Sequence, residues 1–254
     1  MNYIDDVSWK CLLGPRSKNI QNNNGIFTWS IEGKKRNNHF TTDRDLTIDD
    51  INKIQYPCNF HYLSQNNMLF VKQHFKINTQ KKQSTSIDIS NMNFSGRKYH
   101  GIRGAINKCK KINLSLENNY RDFKDVLAFI NEWSDTCADK YFRDNSGKNV
   151  YFLKNNWHSN CINLFVYDKD KLIALSILSP NNLGNSSYVI GKSLCKSYPG
   201  LSEFTDVEVY KKALLSGTQI VNLGQSEKGL IFYKEKFPNS SSYIHYNGSI
   251  NAKI

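Results

Sequence analysis

The sequence predicts an α/β (α+β) chain whose mixed sheet is flanked by helices. Three observations carry this. Cys161–Tyr167 (CINLFVY) and Leu172–Leu178 (LIALSIL) are apolar runs of strand length joined by four polar residues. Phe123–Phe142 places Val126, Phe129, Ile130, Trp133, Cys137 and Tyr141 on one helical stripe. Thr218–Pro238 (TQIVNLGQSEKGLIFYKEKFP) reads as a strand, a tight turn, a short helix and a stop.

Taken in order, residues 1–24 have weak periodicity. Gly25–Ser30 (GIFTWS) is a strand, residues 33–36 a turn, and HFTTD continues beyond it. Asp49, Asp50 and Ile51 begin a short helix. Phe60–Leu63 and Met68–Phe75 read as a hairpin with Gln65–Asn67 at its tip, followed by a polar loop or linker over Lys76–Ser86. Ile87 and Ile89 alternate with polar residues and start a strand. Gly96–Lys111 then turns helical, with Ile102, Ala105, Ile106 and Cys109 on one face. Arg103, Lys108, Lys110 and Lys111 lie off that face, and Arg97 and Lys98 precede it. These cations are either a solvated basic face or a polyanion-binding one, since both place lysines in water. Asp144–Gly147 is a turn, Val150–Leu153 begins a strand, and Ser187–Leu194 is another strand. Ser202 or Thr205 caps the next helix, with Thr205 and Glu208 at capping-box spacing. Its inward residues are Phe204, Val207, Tyr210 and Leu214, and Gly217 is its C-cap. In the closing stretch, Gln219–Leu223 is the strand, Gly224 ends it, Ser226 caps the helix over Gly229–Lys236, and Pro238 stops it.

The formal charge of +12 points to a polyanionic partner: nucleic acid, anionic lipid or a phosphorylated cosubstrate. The abundance of Asn, Lys, Ile and Ser offers nucleotide bias as the other source of that charge. None of the six cysteines forms a Cys-x-x-Cys pair, which argues against a zinc site and a disulfide framework. His39, His61 and His74 sit singly, so no metal ligand set is expected. The start, MNYIDDVSWK, lacks the apolar core of a signal peptide, and no run approaches the ~20 apolar residues of a membrane span. A soluble, cytoplasmic protein is expected.

The element FYKEKFP resembles the close of the sheet in GNAT-type acyltransferases, where a short helix ends in Tyr-x-x-x-Gly-Phe. Tyr233 is in place, Phe237 comes one residue early, and the glycine is missing. The Lys-x-Lys-Phe of Lys234, Lys236 and Phe237 is similar to the phosphatidylglycerol-lysyltransferase-like (DUF2156, FemAB-like) branch. Gly96, Arg97, Arg103, Ile106 and Lys108 match that branch's basic helix. Two GNAT-like halves are fused in that family. The resemblance therefore implies a tandem GNAT-like sheet, with residues 1–85 an incomplete, degenerate half and residues 86–254 the acyltransferase domain.

It also implies acyl or aminoacyl transfer to an amine or hydroxyl by direct attack, with no covalent enzyme intermediate. Tyr233 is the expected acid for the leaving group, and Asn222 and Ser226 orient the acceptor. Lys234 and Lys236 hold phosphate or the donor acyl oxygen, and Arg97, Arg103, Lys108, Lys192, Lys196 and Gly200 serve donor binding. No residue stands out as the base. Relatives that bind coenzyme A carry two or more small residues in the loop before the penultimate helix; Lys196–Leu201 offers only Gly200. This favours aminoacyl-tRNA over acyl-CoA as cosubstrate, with no permanently bound cofactor. The expected partners are tRNA or another polyanion and a small-molecule or macromolecular amine acceptor. Two alternatives stand beside this: a non-catalytic nucleic-acid-binding protein on a degenerate scaffold, and an acyltransferase that modifies nucleic acid.

Overall fold

A computed structural model describes residues 17–33, 38–42, 44–180, 184–225 and 228–254. Among these the chain forms two compact units: residues up to Ser84 together with Ser242–Ile254, and Thr85–Ser241.

The first unit carries β1 (Ser17–Asn23), β2 (Ile26–Ile31), β3 (Asn38–Thr42), β4 (Cys58–Leu63), β5 (Phe75–Asp88) and β11 (Ser240–Lys253), in the order β1-β2-β3-β4-β11-β5. β3 and β4 are parallel, so the chain must cross over between them. The crossover holds α1 (Ile48–Lys53), started by a capping box in which Thr47 and Asp50 satisfy each other's backbone N–H. Hydrogen bonds from Arg44, 2.7 Å away, hold the Asp50 carboxyl far below the usual carboxylate range. Phe40, Ile51, Phe60, Leu63, Val71 and Ile250 fill the core. His39 and His61 are 22 residues apart in sequence, yet Nδ1 of one lies 3.0 Å from Nε2 of the other, and both rings stack on Trp29.

The second unit carries β6 (Leu114–Glu117), β7 (Ile162–Asp168), β8 (Lys171–Pro180), β9 (Asn185–Ser193) and β10 (Ile220–Gln225), in the order β10-β9-β8-β7-β6. β6 to β9 pair antiparallel, and β10 is parallel to β9. Its helices are α3 (His100–Cys109), α4 (Phe123–Thr136), α5 (Lys140–Asp144), α6 (Ser146–Lys154), α7 (Leu201–Leu215) and α8 (Lys228–Lys234). β7 and β8 are buried along almost their whole length, as strands covered on both faces must be. α7 is the crossover that lets β9 and β10 run parallel.

Several local expectations are corrected. Met68–Phe75 is not a hairpin arm. Residues 65–74 form α2, because the Ser64 hydroxyl accepts the Asn67 N–H and Asn67 and Val71 then fall on one inward face. Lys76–Ser86 is not a loop but most of the fourteen-residue β5; neighbouring strands satisfy its polar backbone, and Ser84, Thr85 and Ser86 are buried. Val150–Leu153 is helical within α6, and Phe152 and Leu153 reach the core from it. The long amphipathic helix breaks at Cys137, which is extended, and Asp139 caps a new turn. Tyr141 thereby leaves the stripe and is 65% exposed. Neither Ser202 nor Thr205 caps α7. Gly200 occupies that position, and the Thr205 hydroxyl instead donates to the Leu201 carbonyl inside the helix. β10 runs past Gly224 to Gln225. Gly217 does close α7, its N–H bonding Leu214 O while Thr218 N–H bonds Ala213 O.

Among the described residues no group of His, Cys, Asp or Glu is placed to hold a metal ion, and no helix is long and apolar enough to cross a membrane.

Candidate active site

The second unit buries a polar network where α7, β8, β9 and α8 meet. α7 is apolar on nearly every side, with Leu201, Phe204, Val207, Val209, Tyr210 and Ala213 all inside. Asp206 lies among them and is 8% exposed. Such a carboxyl needs partners to remain ionised. It has two: Tyr188 OH donates to Oδ1 at 2.5 Å, and Tyr233 OH donates to Oδ2 at 2.7 Å. Burial pushes the Asp206 carboxyl up to about 6, against the pull of both phenol bonds and the Lys234 charge. Burial and the adjacent carboxylate push both phenols well above their ordinary range. The Tyr188 hydroxyl also lies 2.6 Å from Ser176 Oγ, extending the chain into β8.

α8 positions Tyr233 and Lys234. Phe237, fully buried, packs its edge on Tyr210 and Tyr233 and so fixes the helix end. The Lys234 ammonium turns inward and donates to the carbonyls of Leu223 at 2.5 Å and Gly224 at 3.1 Å. Burial pulls its pKa down to about 8, with Asp206 opposing. Asn222 is buried and its Oδ1 accepts the Gly224 N–H at 2.9 Å, holding the end of β10 in register with Lys234. Lys236 is outside, 2.8 Å from Glu203 Oε1 and 5.0 Å over the Tyr233 ring. Tyr233, Asn222, Lys234 and Lys236 therefore gather at one place. Ser226 lies outside the described residues.

The other predicted donor-binding residues are distributed. Arg103 donates to the carbonyls of Phe94 and Gly96, at 3.0 and 2.6 Å, clasping the chain that enters α3. Arg97 and Lys108 are exposed at the two ends of that helical segment. The Lys192 ammonium sits 3.2 Å above the Trp133 ring. Lys196 is exposed in the turn after β9. Gly200 has φ +88° and touches α3: a Cβ there would lie 2.6 Å from Ala105 O. Its geometry serves the crossing of α3 and α7.

Sequence reasoning missed Asp206, Tyr188, Ser176 and Glu203. The one signal available for Asp206 was an acidic residue beside Val207 and a turn before Val209 and Tyr210, in a helix rich in core residues. A short carboxylate enclosed this way, bonded by two phenols, can take up and return a proton near neutrality.

The family model for the C-terminal region of phosphatidylglycerol lysyltransferase matches residues 41–230. No curated protein sequence matches the chain at a significant level. Among solved structures, L-PGS from Bacillus licheniformis superposes with a TM-score of 0.65 at 14% identity, over 89% of this chain and 81% of that one. The C-terminal (DUF2156) domain of a putative lysylphosphatidylglycerol synthetase from Agrobacterium fabrum also gives 0.65, at 12% identity over 98% and 89%. A GCN5-related N-acetyltransferase from Kribbella flavida gives 0.51, at 7% identity over 95% and 91%, and shares the fold.

Proposed function

The chain belongs to the family of the phosphatidylglycerol lysyltransferase C-terminal domain and is a GNAT-like transferase, and from that premise we propose that it moves an aminoacyl group from aminoacyl-tRNA to a hydroxyl or amine acceptor. The observation that carries this is the Tyr233 hydroxyl resting on the buried Asp206 carboxylate. An acceptor hydroxyl attacking the ester carbonyl must lose a proton as the new C–O bond forms. Tyr233 accepts that proton on its oxygen while passing its own to Asp206. When the ester C–O bond breaks, the same pair returns a proton to the departing tRNA 3′-oxygen. An amine acceptor uses the same shuttle. The pair thus supplies both the expected acid and the base that no single residue in the sequence offered. Lys234 places a fixed positive charge next to the carboxylate, and Lys236 offers an exposed cation beside the Tyr233 ring for donor phosphate or acyl oxygen. The placement of Gly200 supports an RNA-borne donor over coenzyme A. A pyrophosphate cradle needs backbone free to approach the phosphate, and the single glycine of this loop is committed to packing against Ala105.

The test is transfer of radiolabelled lysine from lysyl-tRNA to anionic phospholipid vesicles and to a panel of soluble amines, beside acetyl-CoA with the same acceptors. Label should leave tRNA, and acetyl-CoA should be inert. Tyr233→Phe and Asp206→Asn should each lower kcat by ~10²–10⁴-fold with the fold intact. Transfer from acetyl-CoA, or full activity of Tyr233→Phe, would overturn the reading. Salt-sensitive tRNA binding with no transfer to any acceptor would favour a non-catalytic nucleic-acid-binding role.

A further inference from the structure

β9 contains an irregularity that matters for Asp206. Gly191 pairs with Ser176 and Ile190 with Ile177, but Tyr188, not Val189, then faces Leu178. Val189 is an extra residue, a bulge. Residues 188 and 191 would point to opposite faces of a regular strand, because side chains alternate with a period of two. One inserted residue restores them to the same face. Tyr188 consequently lies over Gly191 on the face that carries Ser176, the direct cross-strand partner of Gly191. The ring occupies the space a side chain would take: a Cβ on Gly191 would stand 2.4 Å from Tyr188 Cε1 and 2.9 Å from Cζ, inside any real carbon contact. In this slot the hydroxyl is 2.6 Å from Ser176 Oγ and 2.5 Å from Asp206 Oδ1. The edge of Tyr210 closes the far side.

We propose that Tyr188 is a positioning residue for the transfer reaction, steered by the Val189 bulge and the missing side chain of Gly191 so that it holds one oxygen of Asp206 and leaves the other to Tyr233 alone. The inference rests on the transferase reading above and adds a residue outside the reacting pair. A carboxylate has two oxygens and several acceptor directions, and free rotation about its bond to Cβ would swap them. With Oδ1 fixed from β9, proton exchange is confined to Oδ2 and hence to the Tyr233 path. The charged and titratable groups that face this carboxyl are Tyr188 from β9, Tyr233 and Lys234 from α8, and Glu203 and Tyr210 one turn before and after it on α7. Tyr188 is one of the two hydrogen-bond donors holding its ionised form, so losing that bond moves the Asp206 titration upward.

The test compares wild type, Tyr188→Phe and Gly191→Ala, with melting temperature confirming that each variant folds. Tyr188→Phe keeps the ring and deletes the hydroxyl. Gly191→Ala keeps the hydroxyl and displaces the ring. Titration of ¹³C-carboxyl-labelled aspartates by NMR, with Asp206 assigned through Asp206→Asn, needs no substrate. Both variants should raise the Asp206 midpoint above that of the wild type. In the lysyl-tRNA assay both should lower kcat by roughly tenfold near neutral pH, move the acid limb of the pH profile upward, leave KM in place, and recover part of the loss at higher pH. An unmoved Asp206 titration in Tyr188→Phe would overturn the proposal even if transfer is observed. Absence of transfer in wild type would instead defeat the underlying reading while the NMR result still decided whether Tyr188 governs Asp206. A fall in kcat with an unchanged acid limb would reduce Tyr188 to a packing residue.

Discussion

Gly200→Ala should lower the stability of the second unit by about 2–5 kcal/mol, from two separate causes. The backbone at Gly200 has φ +88°, and an L side chain in that region costs roughly 1–2 kcal/mol. The new methyl would also lie 2.6 Å from Ala105 O, 2.9 Å from its Cα and 3.0 Å from its carbonyl carbon. All three are backbone atoms, so no side chain can swing aside and α3 must move off α7. Forced overpacking of this kind costs typically ~1–3 kcal/mol. For a protein of this size each kcal/mol lowers Tm by roughly 2–4 °C, so the melting transition should fall by roughly 5–20 °C. Gly217→Ala is the control. Gly217 has φ +84° but nothing within 4 Å of a Cβ, so it should show the conformational cost alone. Differential scanning calorimetry of the two variants, beside binding titrations with CoA and tRNA, separates the roles. Equal melting temperatures for the two variants would refute the packing argument. Unchanged stability with weakened donor binding would return Gly200 to a phosphate cradle.

Lys234 is pulled from 10.5 down to about 8 on folding. Its burial therefore costs most stability below pH 8, and the cost eases as pH rises toward 10.5, where the unfolded chain also loses the proton. Burial raises the Cys58 thiol and the Tyr188, Tyr210 and Tyr233 phenols, which act in the opposite direction over the upper part of that window. The signature is therefore a difference: in urea titrations wild type should gain stability relative to Lys234→Met as pH rises through it, and a constant difference would show that Lys234 does not titrate there. Reversing Lys108, Lys110 and Lys111 to Glu should weaken tRNA binding and reduce the slope of log K against log salt by about three units, one per lost phosphate contact. Filter binding across a salt series measures it, and an identical slope would leave these lysines as a solvated face.

What was legible in the sequence is what short-range pattern encodes. The runs 161–167 and 172–178 were readable as strands because they are apolar, of strand length, and joined by a short polar turn that suits a hairpin. The α3 stripe, Ile102, Ala105, Ile106 and Cys109, was readable because a single helix face determines it; Ile102, Ile106 and Cys109 are buried and Ala105 is half-buried. Gly217 marked the end of α7 for a reason local to the backbone, whereas α8 ends at Lys234, ahead of the stop expected at Pro238. The motif FYKEKFP brought Tyr233, Lys234 and Lys236 into view together, since one short helix carries them.

The remainder depended on contacts between segments distant in the chain. Lys76–Ser86 is polar and unpatterned, and it is a strand only because β11 lies beside it in the sheet order and is available to take up its backbone hydrogen bonds. Phe70 and Val71 suit a strand or a helix equally, and the Ser64 cap settled the choice. Asp206 is 18 residues from Tyr188 and 27 from Tyr233, and the three lie on three different elements, so no helical or strand period connects them. Their meeting depends on a one-residue bulge in β9, on a glycine that leaves room for a ring, and on the crossover that returns α7 to the sheet. Local pattern marked which segments could be strands or helices and which motif residues share α8. Only the folded chain determined that a buried carboxylate on one helix is where two phenols converge, because a network of hydrogen bonds is specified by distance in space and leaves no period in the sequence.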